Sequence, residues 1–280
     1  MAPLEDDLPL QAQRVLATAV RSETTHGGWR MVWHVWGSGR PVVLLHGGSG
    51  SWTHWLRNVE ALARAGWRVC VPDLPGFGDS LAPPEARDAA DLVAPLAQGV
   101  REVAGEACPW VGFSFGGLTA VLTVAAHPQL ATRLVLVGVP GLGLRNRRLA
   151  LTPWLGLSDP EARRRAHRRN LQVLMLHDPA SIDEDTLALH AANLVRDRMR
   201  QRKLALTDVV ARTLPSLQLP VDAILGEQDA LYAGQLEAVE ALLRQAPSFG
   251  RMLRIPQAGH WVQYEAPERF DAALLGLLRD

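Results

Sequence analysis

The chain has 280 residues, 48% of them apolar and 21% charged, enough for the core of one large α/β domain or two small ones and too apolar for a disordered chain. Its 29 basic residues balance 29 acidic ones, so no global field draws nucleic acid or acidic lipid to it. Two cysteines, Cys70 and Cys108, are too few for a disulfide framework or a four-ligand zinc site, and Cys70 lies in an apolar run as a small buried hydrophobe.

The first ten residues are acidic and carry no basic region ahead of an apolar one, which argues against a secretory signal. Short apolar runs at 32–36, 42–45, 67–71, 110–113, 134–137, 221–225 and 252–255 predict strands, several of them apolar throughout, as strands covered on both faces must be. Helical patterns at 52–65, 89–104, 116–126, 235–244 and 267–278 lie between or after them, with Pro95 an awkward residue inside the second. This alternation predicts a mainly parallel, doubly wound α/β sheet. The longest apolar stretch, 134–144, is too short and too glycine-rich to cross a bilayer, so the expectation is a soluble, cytoplasmic protein without a membrane or nucleic-acid partner.

From 141 to about 214 the alternation stops and only helix-like segments appear, interrupted by prolines at 153, 160 and 179. This stretch holds 14 basic and 8 acidic residues, a net of about +6, so the remainder carries about −6. A helical insertion above the strand C-termini, where open α/β sheets bind ligands, is the natural reading. Arg163, Arg164, Arg165, Arg168 and Arg169 read as a solvated helix face, or as an attraction for an anionic substrate; no aromatic interleaving supports nucleic-acid binding. His167 and His177, in the same stretch, are expected at the surface.

The strongest chemical signal is Gly112-Phe113-Ser114-Phe115-Gly116, a serine on a sharp strand-to-helix turn whose neighbours two residues away must be tiny. Such a turn exposes the Ser114 hydroxyl and leaves the Phe115 N–H free at a helix start. A serine needs a base, and His260 follows the last strand pattern and precedes the last helix. An orienting carboxylate is expected at the end of another strand, which selects Asp229, with Glu227 as the nearby competitor and Asp222 at the wrong end of its strand. A developing oxyanion needs two N–H donors. Phe115 supplies one; Gly48, with Ser49 as the alternative, supplies the other from the loop His46-Gly47-Gly48-Ser49-Gly50. That loop lacks the spacing of a dinucleotide loop and the lysine of a phosphate-binding loop.

The order Ser114, Asp229, His260 behind an early His-Gly-Gly loop resembles that of the α/β-hydrolase triad. From about residue 29 the chain is similar to an α/β-hydrolase with a helical cap, and Pro72-Asp73-Leu74-Pro75-Gly76-Phe77-Gly78-Asp79-Ser80 resembles a segment such enzymes carry. The resemblance implies an α/β-hydrolase core at 1–140 and 215–280, with a cap at 141–214 inserted after the sixth strand. The subfamily it most resembles is the meta-cleavage-product hydrolases, serine enzymes that split carbon–carbon bonds in ring-fission products. His260-Trp261-Val262-Gln263-Tyr264-Glu265 is similar to their tail motif, and 46–58 to their oxyanion loop and first helix. It implies that Trp261 packs in the substrate site, with simple core packing as the other reading. Three positions depart from the subfamily. Phe113 stands where it usually has asparagine, His54 where a dienoate-binding asparagine stands, and His190 where a cap arginine holds substrate charge. These residues either line a binding site for a different polar group or, for the two histidines, sit on helix surfaces.

The expected activity is serine hydrolysis through an acyl-enzyme, acting on a small carboxylic ester and calling for no metal or organic cofactor. Carbon–carbon hydrolysis of a 2-hydroxy-6-oxo-dienoate, ligand binding without turnover, and perhydrolysis on the same residues are the alternatives. A homodimer is left open by relatives that dimerise.

Overall fold

The computed structural model describes residues 8–144 and 149–279. Strand β1 (Val20–His26) forms an antiparallel hairpin with β2 (Trp29–Trp36), turning at Gly27, whose φ of 56° suits a residue without a side chain. The remaining strands are β3 (Arg40–Leu45), β4 (Trp67–Pro72), β5 (Cys108–Phe113), β6 (Ala131–Val137), β7 (Val221–Gly226) and β8 (Phe249–Ile255). They form one eight-stranded sheet in the order β1-β2-β4-β3-β5-β6-β7-β8, parallel from β4 to β8.

All seven expected strands are present, each extending at least one residue beyond its apolar run. The eighth, β1, has the sequence VRSETTH at the sheet edge, and Thr24 alone is buried in it. An edge strand facing water has no apolar pattern to betray it.

The central strands are apolar throughout because both faces are covered. Val43 and Leu45 join one core layer with Cys70 and Trp110, while Val42 and Leu44 join the other with Val69 and Phe113. Helix α1 (Leu10–Leu16) and α2 (Val59–Arg64) pack on the second layer. Helices α3 (Val93–Val103) and α4 (Phe115–Ala126) pack on the first. Pro95 is tolerated because it is the third residue of α3, in the turn whose N–H groups have no partner within the helix. The helix expected at 52–65 is two pieces, a 3₁₀ turn at Trp52–Trp55 and then α2. Cys70 and Cys108 are buried, and burial pushes their thiols up to about 11 and about 12 respectively.

Between β6 and β7 the described residues form helices and turns and no strand: α5 (Pro160–Asn170), continued by a wide π turn at Leu171–Met175, then α6 (Glu184–Val195) and α7 (Val209–Thr213). On α5, Arg163, Arg164, Arg165 and Arg169 are exposed, and Arg164 pairs with Glu184 and Arg165 with Asp159, as a solvated face would. The chain then returns through α8 (Leu236–Leu243), α9 (Val262–Glu265) and α10 (Pro267–Arg279). No described helix is long and apolar enough to cross a membrane.

One buried carboxyl strains this packing. Asp271 on α10 accepts a hydrogen bond from Asn58 Nδ2 at 2.8 Å, but burial raises its pKa from 3.8 to about 6, and Glu268 adds to the rise. The unfolded chain therefore loses this proton first as pH rises. The resulting destabilisation is absent below pH about 4 and complete above pH about 6, amounting to about 2–3 kcal/mol at most. Asp271→Asn keeps the acceptor and removes the titration. Denaturant unfolding should show the variant more stable than the parent at pH 7.5 and equal to it at pH 4.

Candidate active site

Ser114 joins β5 to α4 with φ 50° and ψ −119°, a left-handed conformation unusual for a residue with a side chain. Its N–H donates to the Val137 carbonyl of the neighbouring strand at 2.7 Å, and its carbonyl accepts from Gly117 and Leu118. The glycines leave no room for anything larger. A methyl on Gly112 would lie 2.5 Å from the Gly117 α-carbon, and one on Gly116 would lie 2.4 Å from the His46 carbonyl oxygen. The turn is thus wedged between its own helix and the loop after β3, and the hydroxyl is left on a cavity wall.

His260 Nδ1 donates to Asp229 Oδ2 at 2.9 Å, and its Nε2 accepts from the Ser114 hydroxyl at 3.0 Å. A carboxylate only accepts, so it selects this tautomer. Both groups are buried, Asp229 to 1% and His260 to 3% exposure. Asp229 Oδ1 takes the Leu231 N–H at 2.9 Å, which orients the carboxylate. Gly138, at φ 54°, backs the imidazole, and a methyl there would lie 2.9 Å from the ring. The competitor Glu227 is exposed, and Asp222 pairs with Arg133 at the far end of β7.

The cavity has a volume of about 420 Å³. Gly48 and Phe115 line it beside Ser114, and neither N–H donates to any described residue. Gly47 lies so near that a methyl on it would sit 3.2 Å from the Ser114 β-carbon. Ser49, His54, Phe113 and His190 also line the cavity. His54 is buried, not on a helix surface, and its Nδ1 accepts from the Gly47 N–H at 3.1 Å. Burial, reinforced by nearby histidines, holds its imidazole well below the usual range, so it is neutral with Nε2 as the donor. Burial also pushes His190 down to about 3, so it too is neutral at working pH. The Phe113 ring packs 4.9 Å from that of His260 and 5.4 Å from that of His54.

One open reading is resolved and one expectation changes. Trp261 is not among the lining residues. Its indole lies behind His54 at 4.8 Å, stacks on Tyr264 at 4.0 Å and donates to the His54 carbonyl, so it supports the wall from the core. His167 is 4% exposed, not a surface residue, because the last turn of α5 presses it between Trp154 and His190. His177 is exposed as expected.

Further contacts carried no signal in the sequence. Arg202, Trp154 and Asn170 line the cavity from the segment between β6 and β7. Glu265 accepts from the N–H groups of Gly259 at 2.6 Å, Asp178 at 2.7 Å and His177 at 3.1 Å. Trp261 N–H donates to the Met175 carbonyl at 2.8 Å. The loop bearing His260 is thereby tied to the end of the π turn. Apart from the Gly259–Glu265 bond, these contacts join residues over 80 positions apart, and the tail motif that ends at Glu265 does not announce them.

Residues 42–273 match the model of the Alpha/beta hydrolase family. A 2-hydroxy-6-oxononadienedioate/2-hydroxy-6-oxononatrienedioate hydrolase of Paraburkholderia phymatum is 29% identical over 261 residues, covering 85% of this chain and 86% of that one. A 2-hydroxymuconate semialdehyde hydrolase of a Pseudomonas species is 32% identical over 270 residues, covering 91% and 92%. The crystal structure of an esterase from a Rhodococcus species shares the fold, with a TM-score of 0.71 at 23% identity over 94% of this chain and 99% of that one.

The wedge around Ser114 predicts that Gly116→Ala is costly. Its methyl meets backbone oxygens at 2.4 and 2.5 Å, which no rotamer change relieves. Denaturant unfolding should show a loss of about 2–4 kcal/mol, or no folded protein at all.

Proposed function

The chain belongs to the alpha/beta hydrolase family, and we propose that it is a serine hydrolase working through an acyl-enzyme. The observation that carries this reading is the hydrogen-bonded chain Asp229–His260–Ser114, with the hydroxyl opening on a cavity. His260 Nε2 removes the Ser114 proton as the oxygen attacks an acyl carbon. Asp229 holds the ring in the tautomer that leaves Nε2 free and stabilises the imidazolium that forms. The N–H groups of Gly48 and Phe115 receive the oxyanion, and the imidazolium returns its proton to the leaving group. Water, deprotonated by the same imidazole, then releases the acid.

The substrate we assign is a small carboxylic ester with an apolar acid or alcohol part. Pro140, Leu174, Leu194 and Leu231 give the wall an apolar character, and His54 and His190 in it are neutral. Residues 141–214 act in this reading as a cap over the site. A second reading, hydrolysis of a carbon–carbon bond in a 2-hydroxy-6-oxo-dienoate, is favoured by the printed activities of the relatives. Against it stand the apolar Phe113 and the uncharged His54 and His190, at positions where the carbon–carbon hydrolases it resembles carry asparagine, asparagine and a cap arginine.

Ser114→Ala should abolish turnover of a p-nitrophenyl ester while thermal unfolding stays cooperative; unchanged turnover would remove the assignment. Asp229→Asn, which keeps the shape and loses the tautomer control, should lower kcat about 10³–10⁴-fold in steady-state assays. A panel of short-chain esters beside a ring-fission dienoate decides between the two substrate classes by their kcat/KM values.

A further inference from the structure

The segment leaving α6 carries a group of charged residues that the proposed chemistry does not use. Arg196 pairs with Asp79 at 3.3 Å. Arg198 donates to the carbonyls of Gly78 at 3.0 Å and Ser80 at 2.6 Å, and its own N–H donates to the Gly76 carbonyl at 2.9 Å. These contacts pin the segment to the loop after β4. Between them stands Asp197, 5% exposed. It accepts from the Ser49 hydroxyl at 2.5 Å and from Arg202 Nη1 at 2.9 and 2.8 Å. Arg202 Nη2 donates to the Ser49 oxygen at 3.1 Å. The guanidinium lies against Gly48, where an added methyl would sit 3.1 Å from Nε, and 5.7 Å from the ring centre of Phe115.

Ser49 is the second residue of the site with a left-handed backbone, at φ 52°. That conformation is disfavoured for a non-glycine residue and persists where surrounding contacts hold it. Glycine would adopt it freely, but a glycine has no side chain to be gripped. The hydroxyl of Ser49 is the handle by which Asp197 and Arg202 reach the loop. We infer that Asp197 and Arg202 are positioning residues: they lock Ser49 in its turn, and through it aim the Gly48 N–H at the oxyanion. The inference rests on the serine-hydrolase reading above. The guanidinium, paired with Asp197, also lies against Gly48 and near the Phe115 ring. The oxyanion loop is therefore shaped by residues borne on the segment between β6 and β7, and not by its own glycines alone.

The test is steady-state kinetics on a p-nitrophenyl ester with Ser49→Ala, Asp197→Asn, the double variant, Arg202→Met and Arg202→Lys, each checked for cooperative thermal unfolding. A mis-aimed donor should lower kcat by about 10-fold or more and leave KM within about 3-fold, because the oxyanion contact is made in the transition state. Arg202→Lys, which keeps the charge, should recover part of what Arg202→Met loses. Because Asp197 acts through Ser49, the double variant should be no slower than Asp197→Asn alone. Should Asp197→Asn fail to fold, Ser49→Ala and the two Arg202 variants carry the test by the same kcat and KM criteria. Unchanged kcat in the folded variants, a rise confined to KM, or losses that multiply in the double variant would each overturn the inference. An active Ser114→Ala removes the hydrolase reading itself, whereas an inactive Ser114→Ala beside fully active Ser49→Ala and Asp197→Asn overturns the positioning role alone.

Discussion

Ser114 keeps its left-handed backbone because the two residues flanking it at a distance of two carry no side chain. Gly112 presses on the start of α4 and Gly116 on the carbonyls of Leu45 and His46. This contact joins β5, α4 and the loop after β3 into one rigid corner. From that corner the rest of the site follows: the hydroxyl emerges on the cavity side, the Phe115 N–H is left without a helix partner, and the His-Gly-Gly loop is held beside it. A larger residue at either glycine would move backbone, since the atoms it meets belong to main chain.

Around that corner the segment between β6 and β7 makes two separate attachments to the loops that carry Ser49 and His260. One ties the His260 loop to the end of the π turn through Glu265 and the Trp261–Met175 bond. The other ties the Ser49 turn to the segment after α6 through Asp197 and Arg202. Both sides of the proposed chemistry, the base and the oxyanion donors, thus lean on the same stretch between β6 and β7. Its helices contribute wall residues to the cavity and also geometry to residues they do not replace. A π turn at the first attachment fits the tendency of such turns to occur at functional positions.

Much of this was legible in the chain because local rules govern it. Strands covered on one or both faces need apolar runs, so β2 to β8 announced themselves, while β1, polar and at the edge, did not. The serine turn was legible because sterics demand glycine at fixed offsets, and Asp229 and His260 because each lies on the loop after a recognisable strand. What escaped was set by tertiary contact. His167 reads as one polar residue in an arginine-rich helix, yet the fold seats it between Trp154 and His190. Trp261 reads as equally suited to cavity or core, and only its bond to the His54 carbonyl places it behind the wall. Asp197 and Arg202 look like ordinary surface charges until their partner Ser49, about 150 positions away, is known.

The central claim is that Ser114 becomes covalently acylated during turnover. Rapid quenching in the first turnover of a p-nitrophenyl ester, followed by peptide mass spectrometry, measures this directly. The account predicts an acyl adduct on the peptide containing Ser114, approaching one per active site when deacylation is slow. Turnover accompanied by an adduct on another residue, or by none under conditions where p-nitrophenol is released in a stoichiometric burst, would contradict it.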